Sequence, residues 1–236
     1  MKRSEINNLM RDAVEFFKKQ KFFLPKFAYW NSQYWKTKGE EIREIVENQL
    51  GWDITDFGSG NFSKMGLLLF TIRNGNLEDI AKGGKNYCEK VMIVKDGQIT
   101  PMHHHYQKAE DIINRGGGIL SIQLYNVTKD DKLADTPIVV SMDGTKKRFK
   151  AGEIVELTPG ESITLTQNIY HKFWAKIGSG KVLIGEVSTV NDDRTDNKFI
   201  EKIGRFSEIE EDVEPFYLLC NDYEKYLKFK FKSVEH

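Results

Sequence analysis

Neither sign of charge is in surplus in this sequence: 35 Lys and Arg stand against 35 Asp and Glu. Nucleic acids are held by clustered excess cations, so a nucleic-acid partner is not expected. No apolar run is long enough to span a bilayer, and no polybasic run is present to hold the chain on an anionic surface, so no membrane partner is expected either. Cysteine is scarce. Cys88 and Cys220 are the only two, and they have no metal-type spacing between them. The opening Met1-Lys2-Arg3-Ser4-Glu5 runs straight into a helical pattern without the apolar segment of a secretory leader. The expectation is a cytoplasmic protein with both thiols free. Internal repeats and low-complexity segments are absent. The 236 residues are enough for a core that needs no disulfide staples, and single all-β domains often reach this length.

What is present divides in two. Ile6, Met10, Ala13, Val14 and Phe17 fall at helical spacing after Ser4, a candidate N-cap. A second helical segment is expected from Thr37, where Glu40 completes a capping-box pattern. Its apolar stripe is Ile42, Ile45, Val46 and Leu50, and Gly51 is the expected stop. Between the two helices, Phe22 to Trp35 is rich in aromatics, read as packing against the rest of the fold, with a ligand pocket or subunit interface as the alternative. From about Gly66 the texture changes to short β-rich runs separated by Asn74-Gly75, Asp96-Gly97, Asp143-Gly144 and Pro159-Gly160. Asn-Gly and Asp-Gly favour tight hairpins because both residues tolerate positive φ. Many short strands at close spacing imply a mainly β sandwich or barrel rather than βαβ units. The division is therefore residues 1–55, a helical extension packed on a barrel, and 56–236, the antiparallel β-barrel with a C-terminal segment.

Three of the five histidines are consecutive, His103-His104-His105. Alternate side chains of a strand share a face, so His103 and His105 point together and His104 points away. Two imidazoles ~6–7 Å apart along a strand can reach one ion above it, and Glu110 follows after a short turn. Such an N,N,O set suits first-row divalent metals from Mn²⁺ to Zn²⁺. On these residues alone, a solvated surface tract is an equal alternative.

Gly97, His103, His105, Glu110 and Gly117 fill every fixed position of Gly-x5-His-x-His-x4-Glu-x6-Gly, and so resemble the first cupin motif. The second motif, Gly-x5-Pro-x-Gly-x2-His-x3-Asn, aligns with Gly160 to His171, with Thr166, Asn168 and Ala175 in place of the Pro, the second Gly and the Asn. Those departures are at turn residues, so the resemblance assigns His171 as the fourth ligand. It implies a small antiparallel β-barrel, or jelly roll, with N-terminal helices and one divalent metal ion on His103, His105, Glu110 and His171.

A narrower resemblance covers nearly the whole chain. The segments His103 to Asp111, Ile169 to Trp174 and Glu186 to Asn197 are similar to those of the bacterial D-lyxose isomerases. That resemblance implies interconversion of D-lyxose and D-xylulose, and of D-mannose and D-fructose, with Mn²⁺ as the ion, a small sugar as partner, and a homodimer. Such a reaction moves a proton between C1 and C2, here expected through a metal-bound cis-enediol. Glu186, in a strand after the His171 motif, is the first candidate for the base if it points inward, an outward solvated Glu being an equal alternative; Lys90 and Lys108 are further catalytic candidates, with surface lysines as the alternative. Gln107, Asp192, Asp193, Arg194 and Arg205 are candidates for sugar hydroxyls; an Asx-type turn with a solvated Arg is the alternative for Asp192 to Arg194. Because the cupin fold hosts many chemistries, another metal-dependent enzyme (an oxygenase or epimerase) and a non-catalytic sugar-binding cupin stay open at this stage.

Overall fold

The structure is a computed structural model, and it describes residues 1–190 and 192–227. Residues 228–236, included above with the barrel, lie outside the described residues. Helix α1 spans Arg3–Lys19. The strands are β1 (Gly51–Thr55), β2 (Leu67–Arg73), β3 (Tyr87–Val94), β4 (Ile99–His105), β5 (Glu110–Gly117), β6 (Leu120–Val127) and β7 (Leu133–Ala134). Then come β8 (Ile138–Met142), β9 (Thr145–Phe149), β10 (Ile154–Leu157), β11 (Ser162–Leu165), β12 (Ile169–Ala175), β13 (Val182–Thr189) and β14 (Asn197–Phe199). Every strand pairing between them is antiparallel.

Eight strands form one sheet in the order β1-β2-β3-β13-β5-β11-β8-β9. The second sheet runs β10-β6-β12-β4-β14, with β7 on β6. The period of two in the strands separates two cores. Leu67, Leu69, Met92 and Val94 pack with Ile122, Leu124, Ile169 and Phe173 from the other sheet, which closes the barrel interior. Their alternating neighbours Leu68, Phe70, Val91 and Ile93 pack outward against Ile6, Met10, Ala13 and Phe17 of α1. Strands buried on both faces read as continuous apolar runs, which is why Leu67-Leu68-Leu69-Phe70 has no polar alternation. The result is the cupin-type antiparallel barrel with N-terminal helices.

Three local expectations are corrected. Lys2, not Ser4, occupies the cap position of α1; Ser4 lies inside the first turn and bonds Asp212 through its N–H and hydroxyl. The segment after Thr37 is not one amphipathic helix. It is a 3₁₀ turn over Glu40–Ile42 followed by one short helix over Arg43–Glu47; the chain turns out of it at Gln49, with φ 53°, and Gly51 is not its stop but the first residue of β1. Asn74-Gly75 makes no two-residue hairpin; β2 ends before it and β3 starts only at Tyr87, after a helical turn over Leu77–Ile80. Asp143-Gly144 does turn tightly between β8 and β9, with positive φ at both residues. The aromatic stretch is divided: Phe27 lies on Phe70 and Trp35 is buried between Trp30 and Tyr223, while Phe23, Tyr29 and Tyr34 are exposed. Both cysteines are free. No helix among the described residues is long and apolar enough to cross a membrane.

Candidate metal centre and acid–base cluster

β4 and β12 are neighbours, and their register sets His171 opposite His103. His103 and His105 share the inner face of β4, so three imidazoles meet in the barrel interior, all buried. Their ligand atoms lie within 4.8 Å of one another, a group able to hold a metal ion. Each ring is oriented from behind. Nδ1 of His103 lies 2.7 Å from the Pro101 carbonyl, Nδ1 of His171 3.1 Å from that of Ile169, and Nδ1 of His105 3.3 Å from that of Asp196. A carbonyl only accepts, so each Nδ1 carries the proton and each Nε2 presents a lone pair. Glu110, the first residue of β5, brings Oε1 to 3.1 Å from His171 Nε2 and 3.5 Å from His105 Nε2. His105 Nε2 and Glu110 Oε1 are buried without a hydrogen-bond partner. Two orphaned lone-pair atoms beside two more imidazoles fit a divalent cation.

His104 is directed to the opposite face, as the alternation implies. There it is fully buried rather than solvated, against the rings of Tyr106 and Tyr170. Asn168, which replaces the glycine of the second motif, takes φ 63°. Asn is the non-glycine residue best suited to that region, so the turn before His171 survives the substitution.

The cavity beside the histidines is lined by a charged cluster. Register places Glu186 of β13 across from Lys90 of β3, and both side chains are almost fully buried. Lys108 Nζ bridges two carboxylates, 2.6 Å from Glu110 Oε2 and 3.0 Å from Glu186 Oε1. Lys90 Nζ is 3.5 Å from Glu186 and 3.1 Å from Asp193. Arg205 Nη2 donates to Asp193 at 3.0 Å and to Asp53 at 2.6 Å. Burial pushes both lysines toward the neutral amine, but Glu110, Glu186 and Asp193 outweigh it and raise them above the usual range. Burial likewise opposes ionisation of Glu110, yet Lys108 and His105 hold it well below the carboxylate range. Asp193 is held low against burial by Lys90 and Arg205. Burial, then the neighbouring imidazoles, keep His103 well below the ordinary histidine value. Glu110 and Asp193 are thus held as carboxylates and Lys90 and Lys108 as ammonium groups, beside the imidazoles of His103 and His105, which burial pushes down.

Of the residues singled out from sequence, His103, His105, Glu110, His171, Glu186, Lys90, Lys108, Asp193 and Arg205 line this one cavity. Gln107 does not; its side chain is exposed. Asp192 and Arg194 pair with each other at 2.9 Å, near the surface. Sequence reasoning missed Asp53, which anchors Arg205, and Asp196. The Asp196 carboxylate accepts the backbone N–H groups of Tyr106, Gln107 and Lys108. It thereby fixes the turn that carries Lys108 and Glu110 into the cavity.

A family model described as D-lyxose isomerase matches residues 1–223. The D-lyxose/D-mannose isomerase of Serratia proteamaculans is 45% identical over 232 residues, covering 96% of this chain and all of that protein. The protein of the same name from Escherichia coli O157:H7 is 45% identical over 230 residues, with 96% of this chain and all of that protein covered. Among solved structures, the L-ribose isomerase of Cellulomonas parahominis with L-ribose superposes with a TM-score of 0.59 at 16% identity, over 89% of this chain and 98% of that one. At that identity the likeness is one of fold.

Proposed function

The chain belongs to the D-lyxose isomerase family, and from that premise we propose that it interconverts D-lyxose with D-xylulose, and D-mannose with D-fructose, by proton transfer through a cis-enediol. The observation that carries the mechanism is Glu186, a carboxylate only 4% exposed, held 3.0 Å from Lys108 beside the histidine cluster. Removing a weakly acidic C–H proton requires a positioned base and a place for negative charge on the adjacent oxygens.

His103, His105, Glu110 and His171 would hold a divalent ion, Mn²⁺ by the family resemblance, which would supply Lewis acidity toward the substrate oxygens. Glu186 takes the proton from C2 of the aldose and returns it to C1 on the same face, while the O2 hydroxyl proton passes to O1, so that C2–O2 becomes the carbonyl and C1–O1 the alcohol. Lys108, clamped between Glu110 and Glu186, fixes the carboxylate and sets a positive charge beside the oxygens that become negative. Lys90 supports the same carboxylate from the neighbouring strand. Phe57, Phe173 and Phe199 contribute apolar wall, which strengthens each electrostatic contact by thinning out water. A cytoplasmic setting and a homodimeric assembly belong to the same proposal.

Turnover of D-lyxose and D-mannose by the Mn²⁺-loaded protein in D₂O tests it. Ketose forms, and deuterium enters C1 of the ketose or C2 of the recovered aldose. Glu186→Gln lowers the rate by about 10²–10⁴-fold and suppresses the exchange while metal content stays native. Complete retention of the substrate hydrogen over many turnovers would overturn the proton route. Native exchange in Glu186→Gln would move the base to Lys90 or Lys108.

A further inference from the structure

Four buried side-chain atoms lining the cavity have no hydrogen-bond partner among the described residues: His105 Nε2, Glu110 Oε1, Thr100 Oγ1 and Arg205 Nη1. Buried polar atoms are rarely left this way, and each instance calls for a cause. A metal ion accounts for the first two. It cannot account for Arg205, which is a cation, and Thr100 is outside the ligand set.

Thr100 lies on β4, three residues before His103, and is 2% exposed. Strict alternation would place it on the face opposite His103. The ladder between β12 and β4 is irregular, however: His171 faces His103, while Phe173 faces Thr100. The irregularity takes up the odd residue, so both side chains line the cavity. Arg205 is locked by two carboxylates through Nη2, on Asp53 and Asp193. Its planar fork is therefore fixed, and Nη1 is a preset donor with nothing to donate to.

We propose that Thr100 Oγ1 and Arg205 Nη1 each bind one hydroxyl group of the substrate chain beyond the two reacting carbons. The proposal rests on the isomerase reading of this cavity. Chemistry favours a hydroxyl over an anion. Lys90, Lys108 and Arg205 are each already held by two carboxylates, so among the described residues lining the cavity no cation is left over to neutralise a phosphate. A hydroxyl both donates and accepts, and matches a threonine oxygen and a single guanidinium N–H without new charge. A site built around a substrate hydroxyl discriminates strongly against the analogue lacking it, because its own polar atom is then stranded.

The test uses binding as well as turnover. A pentitol of the D-lyxose configuration has no carbonyl to isomerise, so its affinity for the Mn²⁺-loaded protein reports recognition alone. Thr100→Val keeps the shape and removes the hydroxyl. It weakens pentitol binding by about tenfold or more. Against one monodeoxy pentitol the loss disappears, and Thr100→Ser restores binding. Without ligand, Thr100→Val melts higher than the native protein, since a methyl replaces a stranded hydroxyl; a purely structural threonine gives the opposite shift. Arg205→Lys keeps the charge, loses Nη1 and shows its own dependence on one missing hydroxyl. Equal weakening toward every monodeoxy pentitol, a lower melting temperature for Thr100→Val, or no pentitol binding by the native protein overturns the proposal. If D-lyxose is isomerised and Thr100→Val keeps native kcat/KM, this inference falls and the reaction stands. If D-lyxose is not isomerised but the hydroxyl-dependent pattern holds, the reaction falls and this inference stands.

Discussion

Lys108→Met removes one ammonium from between two buried carboxylates. Glu110 loses a contact of 2.6 Å and Glu186 one of 3.0 Å. At an effective dielectric of about 20, each contact is worth on the order of 6 kcal/mol before desolvation is counted. Burying the ammonium itself costs several kcal/mol, and breaking a buried pair by deleting one partner nets about 3–5 kcal/mol. For a chain of this size that lowers the melting temperature by roughly 6–20 °C. The pH dependence follows from Glu110. In the native protein its pKa is held below the unfolded value of about 4.3, against burial, by Lys108 and then His105. It therefore adds stability above about pH 4.3, and that stability is lost as pH falls. In Lys108→Met the leading downward influence is gone while burial still pushes the group up, so less stability is gained as pH rises. The gap between the two proteins widens from about pH 4 to pH 7. Thermal unfolding followed by circular dichroism across this range, with chelator present, measures it, and Lys108→Arg serves as the charge-preserving control. A gap that stays flat with pH, or a difference below roughly 2 °C at neutral pH, would refute the reasoning.

Replacing His103, His105 or His171 with Ala strips bound metal, while His104→Ala leaves the metal in place and costs stability, because its ring packs on Tyr106 and Tyr170 instead; elemental analysis of the four variants decides, and metal loss in His104→Ala equal to its neighbours would sink the assignment. Protons compete with metal for the same Nε2 atoms. Burial first, and then nearby positive groups, hold His103 and His105 below the ordinary imidazole range, so both stay neutral further into acid. Metal is retained at about pH 6 and released nearer pH 4 in equilibrium dialysis; release already complete at about pH 6.5 would contradict the burial argument.

The legible part of the site was the part governed by local rules. Two histidines separated by one residue must share a strand face, whatever the rest of the chain does. The placement of Glu186 was open until β13 was seen beside β3, because a lone Glu in a strand has two faces to choose between. Thr100 was hidden by the same rule that revealed His103 and His105: an offset of three reads as the opposite face, and only the irregular pairing with β12 reverses it. Asp196 gave no signal either. Its function is to accept backbone N–H groups some ninety residues earlier in the chain, and no composition or spacing encodes such a contact. The helical region failed for a different reason. Ile42, Ile45, Val46 and Leu50 carry a helical stripe, but tertiary contacts bury Ile42 and Val46 against Trp35 and Tyr223 in two short pieces, since a stripe specifies which residues are buried and not how long the helix runs.

The other missed aspartate, Asp53, ties fold to chemistry. Asp53 sits between Trp52 and Ile54 in a strand whose five residues are all buried, where an acid is out of place by hydrophobic pattern. It is the far end of a continuous chain of contacts: Asp53 to Arg205, Arg205 to Asp193, Asp193 to Lys90, Lys90 to Glu186, Glu186 to Lys108, and Lys108 to Glu110. Acids and bases alternate without a break from the outer strand β1 to the candidate metal ligand. An apolar replacement of such buried pairs is often more stable than the pairs themselves, so stability alone does not explain a row of seven. On the proposed mechanism a rigid row would hold Glu186 at one position while a proton is moved, and local rules of sequence fail where such a requirement overrides packing.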